Sequence, residues 1–303
     1  MLIQPEDILA TGNLELLSRH AVEGFITGYH KSPFHGFSVE FSEHRQYNPG
    51  ESTKHIDWKL YGRTDKLFIK RFEEETNLRC RILIDASSSM QFKGDTELSK
   101  LQYSLWCSAV LLQLLKKQRD ATGITIYDED VVESTRTASS GRHYKNLLHS
   151  LGEYLDYKSV LRKTDIVKCL HDMANQLHRR SLIVLFTDLL SDDYDIDQLF
   201  RAIQHIKHNK HELIIFNTLD ADKELSFEYE NRPLSFEDLE TGEKIKIQSS
   251  EVKDQYRLAI QNHIQELRLR CGQYKVEFID VDITKGVENV MIPFLVKRNR
   301  ISS

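Results

Sequence analysis

Proline and glycine are sparse, with 5 and 13 residues in 303. No segment is low in complexity, so proline-rich, glycine-linker and disordered classes are set aside. Cysteine is scarce too. Cys80, Cys107, Cys169 and Cys271 lie far apart and form no Cys-x-x-Cys pair, which speaks against a disulfide scaffold and for reduced thiols. No run approaches the roughly 18 apolar residues of a membrane span. The first residues, Met1-Leu2-Ile3-Gln4-Pro5-Glu6-Asp7, lack the basic start and apolar core of a signal peptide, so the expectation is a cytoplasmic protein. There is no repeat at solenoid spacing. His-Glu-x-x-His, Gly-x-Ser-x-Gly and a glycine-rich phosphate cradle are also missing. The net charge of −5 is too mild for a general nucleic-acid binder.

What is present is an ordinary globular composition, 40% hydrophobic and 29% charged, in a chain long enough for one large α/β domain or two modest ones. Three short apolar runs, 82–84, 182–186 and 212–217, read as strands buried on both faces. Between them the pattern predicts helices over 95–117, 165–179 and 196–207. It also predicts a hairpin at 121–136, a mostly helical stretch over 141–161, a long helix over 252–270 with Gly272 just past its end, a strand over 274–281 and a short helix over 287–296. Strand alternating with helix is the rhythm of a doubly wound, mostly parallel sheet flanked by helices. Leu234 to Ile247, centred on Glu240-Thr241-Gly242-Glu243, interrupts it as a hairpin insertion near 225–250. Ahead of this α/β domain, set at 77–303, residues 1–76 read as an extension of helix and short strands.

The stretch that organises the chain is Arg81-Ile82-Leu83-Ile84-Asp85-Ala86-Ser87-Ser88-Ser89-Met90. A buried strand ends on an acid followed by hydroxyl residues, and ligands bind at the carboxyl ends of strands in open α/β sheets. Asp85, Ser87 and Ser89 supply hard oxygen donors, which suit Mg²⁺ or Mn²⁺. A polar turn would use the same residues to satisfy backbone N–H groups. The second apolar strand ends on Thr187-Asp188, which puts another carboxylate at a strand end. If that strand opens the second half of the sheet, Asp85 and Asp188 flank the topological switch point. Thr164 stands just before a helix leading back to that strand, where it reaches the same crevice or caps the helix.

Other polar clusters carry less. Asp128-Glu129-Asp130 reads as a solvated hairpin turn, and His205, His208 and His211 as solvated or capping histidines at a helix end. Between Arg45 and Arg71, Lys54, Lys59, Arg63, Lys66 and Lys70 are interleaved with Tyr47, Trp58 and Tyr61. Base stacking would use such residues, as would solvated strands ion-paired to Glu43, Asp57, Asp65 and Glu73-Glu74-Glu75. Nucleic acid is not the expected partner.

Asp85-x-Ser87-x-Ser89 with a later Thr164 and Asp188 resembles the metal-ion-dependent adhesion site (MIDAS) of von Willebrand factor A domains. Tyr47-Asn48-Pro49-Gly50, Ile56-Asp57-Trp58, Gly62-Arg63-Thr64 and Lys70-Arg71-Phe72-Glu73-Glu74-Glu75 precede it, and Phe236-Glu237-Asp238-Leu239-Glu240-Thr241-Gly242 follows. Together these resemble the bacterial domain of unknown function 58 family, which carries a von Willebrand factor A-like domain. That family usually has an acidic pair after Pro-Gly and an arginine before Ile-Asp-Trp; this chain has Glu51-Ser52 and Lys54-His55. The resemblance implies a non-enzymatic binding module. In it Ser87, Ser89 and Thr164 contact Mg²⁺ or Mn²⁺, Asp85 and Asp188 act directly or through water, and a protein partner offers a carboxylate to the metal. It further implies an adaptor or assembly factor working with a MoxR-type AAA+ ATPase. The rival is a Mg²⁺-dependent hydrolase of a phosphoester using Asp85, Asp188, Asp192 and Asp193.

Overall fold

The computed structural model describes residues 14–27, 41–47, 56–72, 78–190 and 195–301. They fall into two units, Met1–Phe34 with Arg79–Ser303, and His35–Leu78. The stretch read as one N-terminal extension is therefore divided. Its helix α1 (Leu14–Thr27) groups with the larger unit, where it buries Leu14, Leu17 and Val22.

In the smaller unit, strands β1 (Phe41–Gln46) and β2 (Phe68–Phe72) pair antiparallel, with Arg45 opposite Ile69. A strand-like piece over 37–41 and a turn at Pro49-Gly50 are also readable in the sequence; residues 37–40 and that turn lie outside the described residues. Ile56-Asp57-Trp58 leads into helix α2 (Trp58–Thr64). The Asp57 carboxylate accepts the N–H groups of Lys59 and Leu60 at 3.0 and 3.1 Å, satisfying donors that a helix start leaves orphaned. Trp58 and Tyr61 stay exposed and meet edge to face at 6.2 Å.

The larger unit runs β3 (Arg79–Asp85), α3 (Lys100–Lys117), β4 (Ala121–Tyr127), β5 (Val131–Ser134), α4 (Gly141–Glu153), α5 (Ile166–Gln176) and β6 (Leu182–Thr187). It continues with α6 (Ile196–His208), β7 (Glu212–Leu219), β8 (Pro233–Glu237), β9 (Lys244–Gln248), α7 (Ser249–Gln273), β10 (Glu277–Asp282) and α8 (Glu288–Ile301). The main sheet has the order β10-β7-β6-β3-β4-β5. Its pairings are parallel except β4 with β5, and β8 and β9 form the expected separate hairpin. The chain builds outward from β3 through β4, then crosses to β6 and builds the other way. The fold is thus α/β and doubly wound, with its switch point between β3 and β6.

Both faces of the sheet are covered, which explains the unbroken apolar runs. Leu83, Ile183, Leu185, Leu213 and Ile215 pack with Ile166, Leu170, Leu199, Ile203 and Leu267 of α5, α6 and α7. The alternate residues face the other way. Phe186 stacks on Phe216 at 4.7 Å, and Phe216 meets Phe294 of α8 edge-on at 5.3 Å.

Helix ends depart from expectation where a better cap stands nearby. The helix predicted from residue 95 starts at Lys100, because Ser99 and Gln102 form a reciprocal capping box at 3.2 and 3.0 Å. The helix predicted to run to residue 179 ends at Gln176, so Arg179 and Arg180 lie beyond its dipole. Gly272 is inside α7, and the left-handed residue after that helix is Lys275, at φ 54°.

Candidate metal centre

Asp85 is the last residue of β3, fully buried, and Ala86 donates its N–H to the Tyr127 carbonyl of β4 at 2.7 Å. The chain then makes a 3₁₀ turn over Ser88–Gln91. Ser87 donates its N–H to Asp85 Oδ1 at 2.9 Å, and the Ser87 and Ser89 hydroxyls lie 3.1 Å apart. Ser89 in turn donates to Asp188 Oδ1 at 3.1 Å. From the loop before α5, Thr164 Oγ1 donates to Asp85 Oδ2 at 2.9 Å. All five residues singled out in the sequence are thus joined in one hydrogen-bonded cluster.

Neighbouring loops fix those positions. Ser88 donates its N–H to the Arg162 carbonyl, and its hydroxyl accepts the Arg162 N–H, both at 2.9 Å. Asp165 donates its N–H to the Asp128 carbonyl at 3.0 Å, and Glu129 accepts the Lys163 N–H at 3.1 Å. The acidic hairpin turn therefore holds the Thr164 loop in place. Helix α5 is capped by Asp165, whose carboxylate accepts the Lys168 N–H at 2.9 Å, leaving the Thr164 hydroxyl to Asp85. Behind Asp188, Asn217 at the carboxyl end of β7 accepts the Leu189 N–H at 3.1 Å.

Three residues at the site were missed from sequence. Thr187 donates its hydroxyl to Asp85 Oδ2 at 2.7 Å; its place beside Asp188 at a strand end was the available signal. Lys100, the first residue of α3, donates its ammonium to Asp188 Oδ2 and, at 2.7 Å, to Glu224 Oε1. The Lys100 side chain is 1% exposed. A cation in the first turn opposes the helix dipole, so the two carboxylates, not helix electrostatics, account for its position. Glu224 closes the network by accepting the Asp220 N–H at 2.8 Å.

Burial and the nearby Asp188 push the Asp85 carboxyl up to about 6, against the pull of its hydrogen bonds from Ser87 and Thr187. Burial works against the Lys100 ammonium, but Asp188 and Glu224 outweigh it and raise its pKa above the ordinary value. Burial likewise raises Glu224, with Lys100 opposing. Among the described residues no group of three or more His, Cys, Asp or Glu is placed to hold a metal, so the candidate rests on two carboxylates and three hydroxyls. That donor set is all oxygen and suits a hard divalent cation. Asp85, Asp188 and Glu224 outnumber the Lys100 ammonium placed among them, which favours a cation at the site. The residues present fit the group.

The histidines do not converge. His205 Nδ1 faces His171 Nδ1 at 3.0 Å, while His211, read as solvated or capping, is buried and accepts the Ser181 N–H at 3.1 Å. Asp192 and Asp193 lie outside the described residues. All four cysteines are buried and none is in a disulfide. No helix of the described residues is long and apolar enough to cross a membrane.

Among solved structures, the chain is similar to the conserved hypothetical protein BatB from Bacteroides thetaiotaomicron (13% identity, 74% of this chain and 99% of that one, TM-score 0.44). It is also similar to an aerotolerance-related membrane protein from Bacteroides fragilis (16%, 74% and 98%, TM-score 0.45) and to a von Willebrand factor type A protein from Catenulispora acidiphila (15%, 46% and 33%, TM-score 0.34). Uncharacterized protein Rv1480 of Mycobacterium tuberculosis and uncharacterized protein Mb1516 of Mycobacterium bovis are each 22% identical over 216 residues, 71% of this chain. The match spans 66% of the length of each of these curated relatives. A family model described as "Protein of unknown function DUF58" matches residues 43–268, well over half of the sequence, and the chain belongs to that family.

Proposed function

We propose that the chain is a metal-assisted, non-enzymatic protein-binding module. One observation carries this reading: Asp85, Ser87, Ser89, Thr164 and Asp188, from three separate segments, form one hydrogen-bonded cluster at the switch point of the sheet. Ser87, Ser89 and Thr164 would hold Mg²⁺ or Mn²⁺ directly, with Asp85 and Asp188 bound directly or through water. When bound, the ion supplies an electrophilic position that accepts a carboxylate from a partner protein. The chain's own residues prepare that position. Thr187 and the Ser87 N–H orient Asp85, and Lys100 neutralises the far oxygen of Asp188. Mostly neutral ligands leave the cation short of negative charge, which favours capture of a carboxylate. The proposed setting, a cytoplasmic adaptor or assembly factor working with a MoxR-type AAA+ ATPase, comes with the DUF58 resemblance.

The reading is tested by titrating Mn²⁺ into the protein and following the electron paramagnetic resonance of free Mn²⁺. One ion is expected to bind, and more tightly with N-acetyl-glutamate methylamide than with its glutamine counterpart. Hydrolysis of p-nitrophenyl phosphate that requires Mg²⁺ and disappears in Asp85→Ala would overturn it in favour of the hydrolase.

A further inference from the structure

A cavity of about 440 Å³ opens at the carboxyl ends of β7 and β10, between the segment leading into α3 and the start of α8. Its size is that of small-ligand clefts, roughly 300–1,000 Å³. Tyr103 and Trp106 of α3 line it, 2% and 3% exposed. The Tyr103 hydroxyl is buried without a hydrogen-bond partner, a costly condition for a polar group in a folded protein. Burial, chiefly, holds that hydroxyl in its protonated, neutral form.

The rim is acidic. Glu97, Asp222 and Glu288 line the cavity, and none of the three is in an ion pair among the described residues. Two lysines also line it, and both are already engaged. Lys223 pairs with Asp95 at 2.8 Å and donates to the Glu228 carbonyl at 2.9 Å, while Lys285 pairs with Asp282 at 2.9 Å. Just before the lining segment, Gly94 stands at φ 53°, and a Cβ there would come within 2.0 Å of Asp220 Oδ2.

We infer that this cavity binds the basic side chain of a partner protein, an arginine or lysine whose alkyl stem lies against Tyr103 and Trp106 and whose charged head meets Glu97, Asp222 and Glu288. The orphaned Tyr103 oxygen is then an acceptor for a cationic N–H donor. Aromatic walls also favour a cation through their ring quadrupoles. The inference does not rest on the metal reading, because none of these residues belongs to the candidate metal cluster.

The test uses Trp106 fluorescence in a Trp58→Phe background, which leaves Trp106 as the sole tryptophan. N-acetyl-arginine methylamide is titrated in the presence of EDTA, so the result stands whether or not the metal site is real. Saturable binding is expected. It should weaken at least tenfold in Glu97→Gln/Asp222→Asn/Glu288→Gln and severalfold in Tyr103→Phe, with thermal unfolding of both variants checked against the background. Putrescine binding more tightly than the arginine amide would overturn the protein source of the cation. An equal response to N-acetyl-glutamine methylamide, no saturable response, or indifference to all these substitutions would overturn the site.

Discussion

Lys100→Met should lower the unfolding free energy by about 3–5 kcal/mol, the range for removing one partner of a buried ion pair. The reason is the state of what remains. Asp188 is 2% exposed and Glu224 15% exposed on their side chains, and Lys100 is the ammonium that both touch. Without it two carboxylates stay in a buried site already occupied by Asp85. A methionine fills the volume and supplies no charge. Urea unfolding in EDTA measures the loss, and adding Asp188→Asn should recover part of it, because contacting residues couple by about 0.5–3 kcal/mol. A loss under about 1 kcal/mol would mean that Lys100 is not the counter-ion of the site.

Phe216→Ala should cost about 3–5 kcal/mol, the range for truncating a fully buried aromatic. Phe216 is 0% exposed, stacked on Phe186 and edge-on to Phe294. It therefore ties two adjacent strands of the sheet to α8. Both tied strands also serve the site. β6 ends on Thr187, one residue before Asp188, and β7 carries Asn217, which holds the backbone after Asp188. The substitution removes no donor of the polar cluster, so the variant should be weaker as a fold yet keep any metal response. Urea denaturation followed by circular dichroism gives the loss; a value near zero would mean that the core repacks around the gap.

The sheet was legible because its strands are apolar on both faces and end on polar residues. The runs at Leu83, Leu185 and Ile215 sit at the centre of the core, and the acid ending each of the first two marked the switch point. Thr164 was ambiguous, since Thr164 and Asp165 are both good caps; the structure gives the cap to Asp165. Lys100 and Glu224 were not legible. They meet across 124 residues of sequence, and a lysine near a helix start carries no mark of burial. The place of α1 was hidden for a similar reason: its apolar stripe fixes that it packs, not on which unit. The basic-aromatic stretch around Trp58 was read as solvated strands or a stacking surface, and the local signal for α2 was Asp57 two and three residues before the N–H groups it caps.

The central claim is that the cluster around Asp85 binds a divalent cation. Thermal unfolding of the wild type and of Ser87→Ala/Ser89→Ala, each with EDTA, Mg²⁺ or Mn²⁺, tests it most directly. A ligand at ~100 times its dissociation constant stabilises the native state by about 2.7 kcal/mol. A rise in melting temperature with metal is expected in the wild type and not in the double variant. Equal melting temperatures with EDTA and with metal in the wild type, or a metal shift that survives loss of both hydroxyls, would contradict the claim.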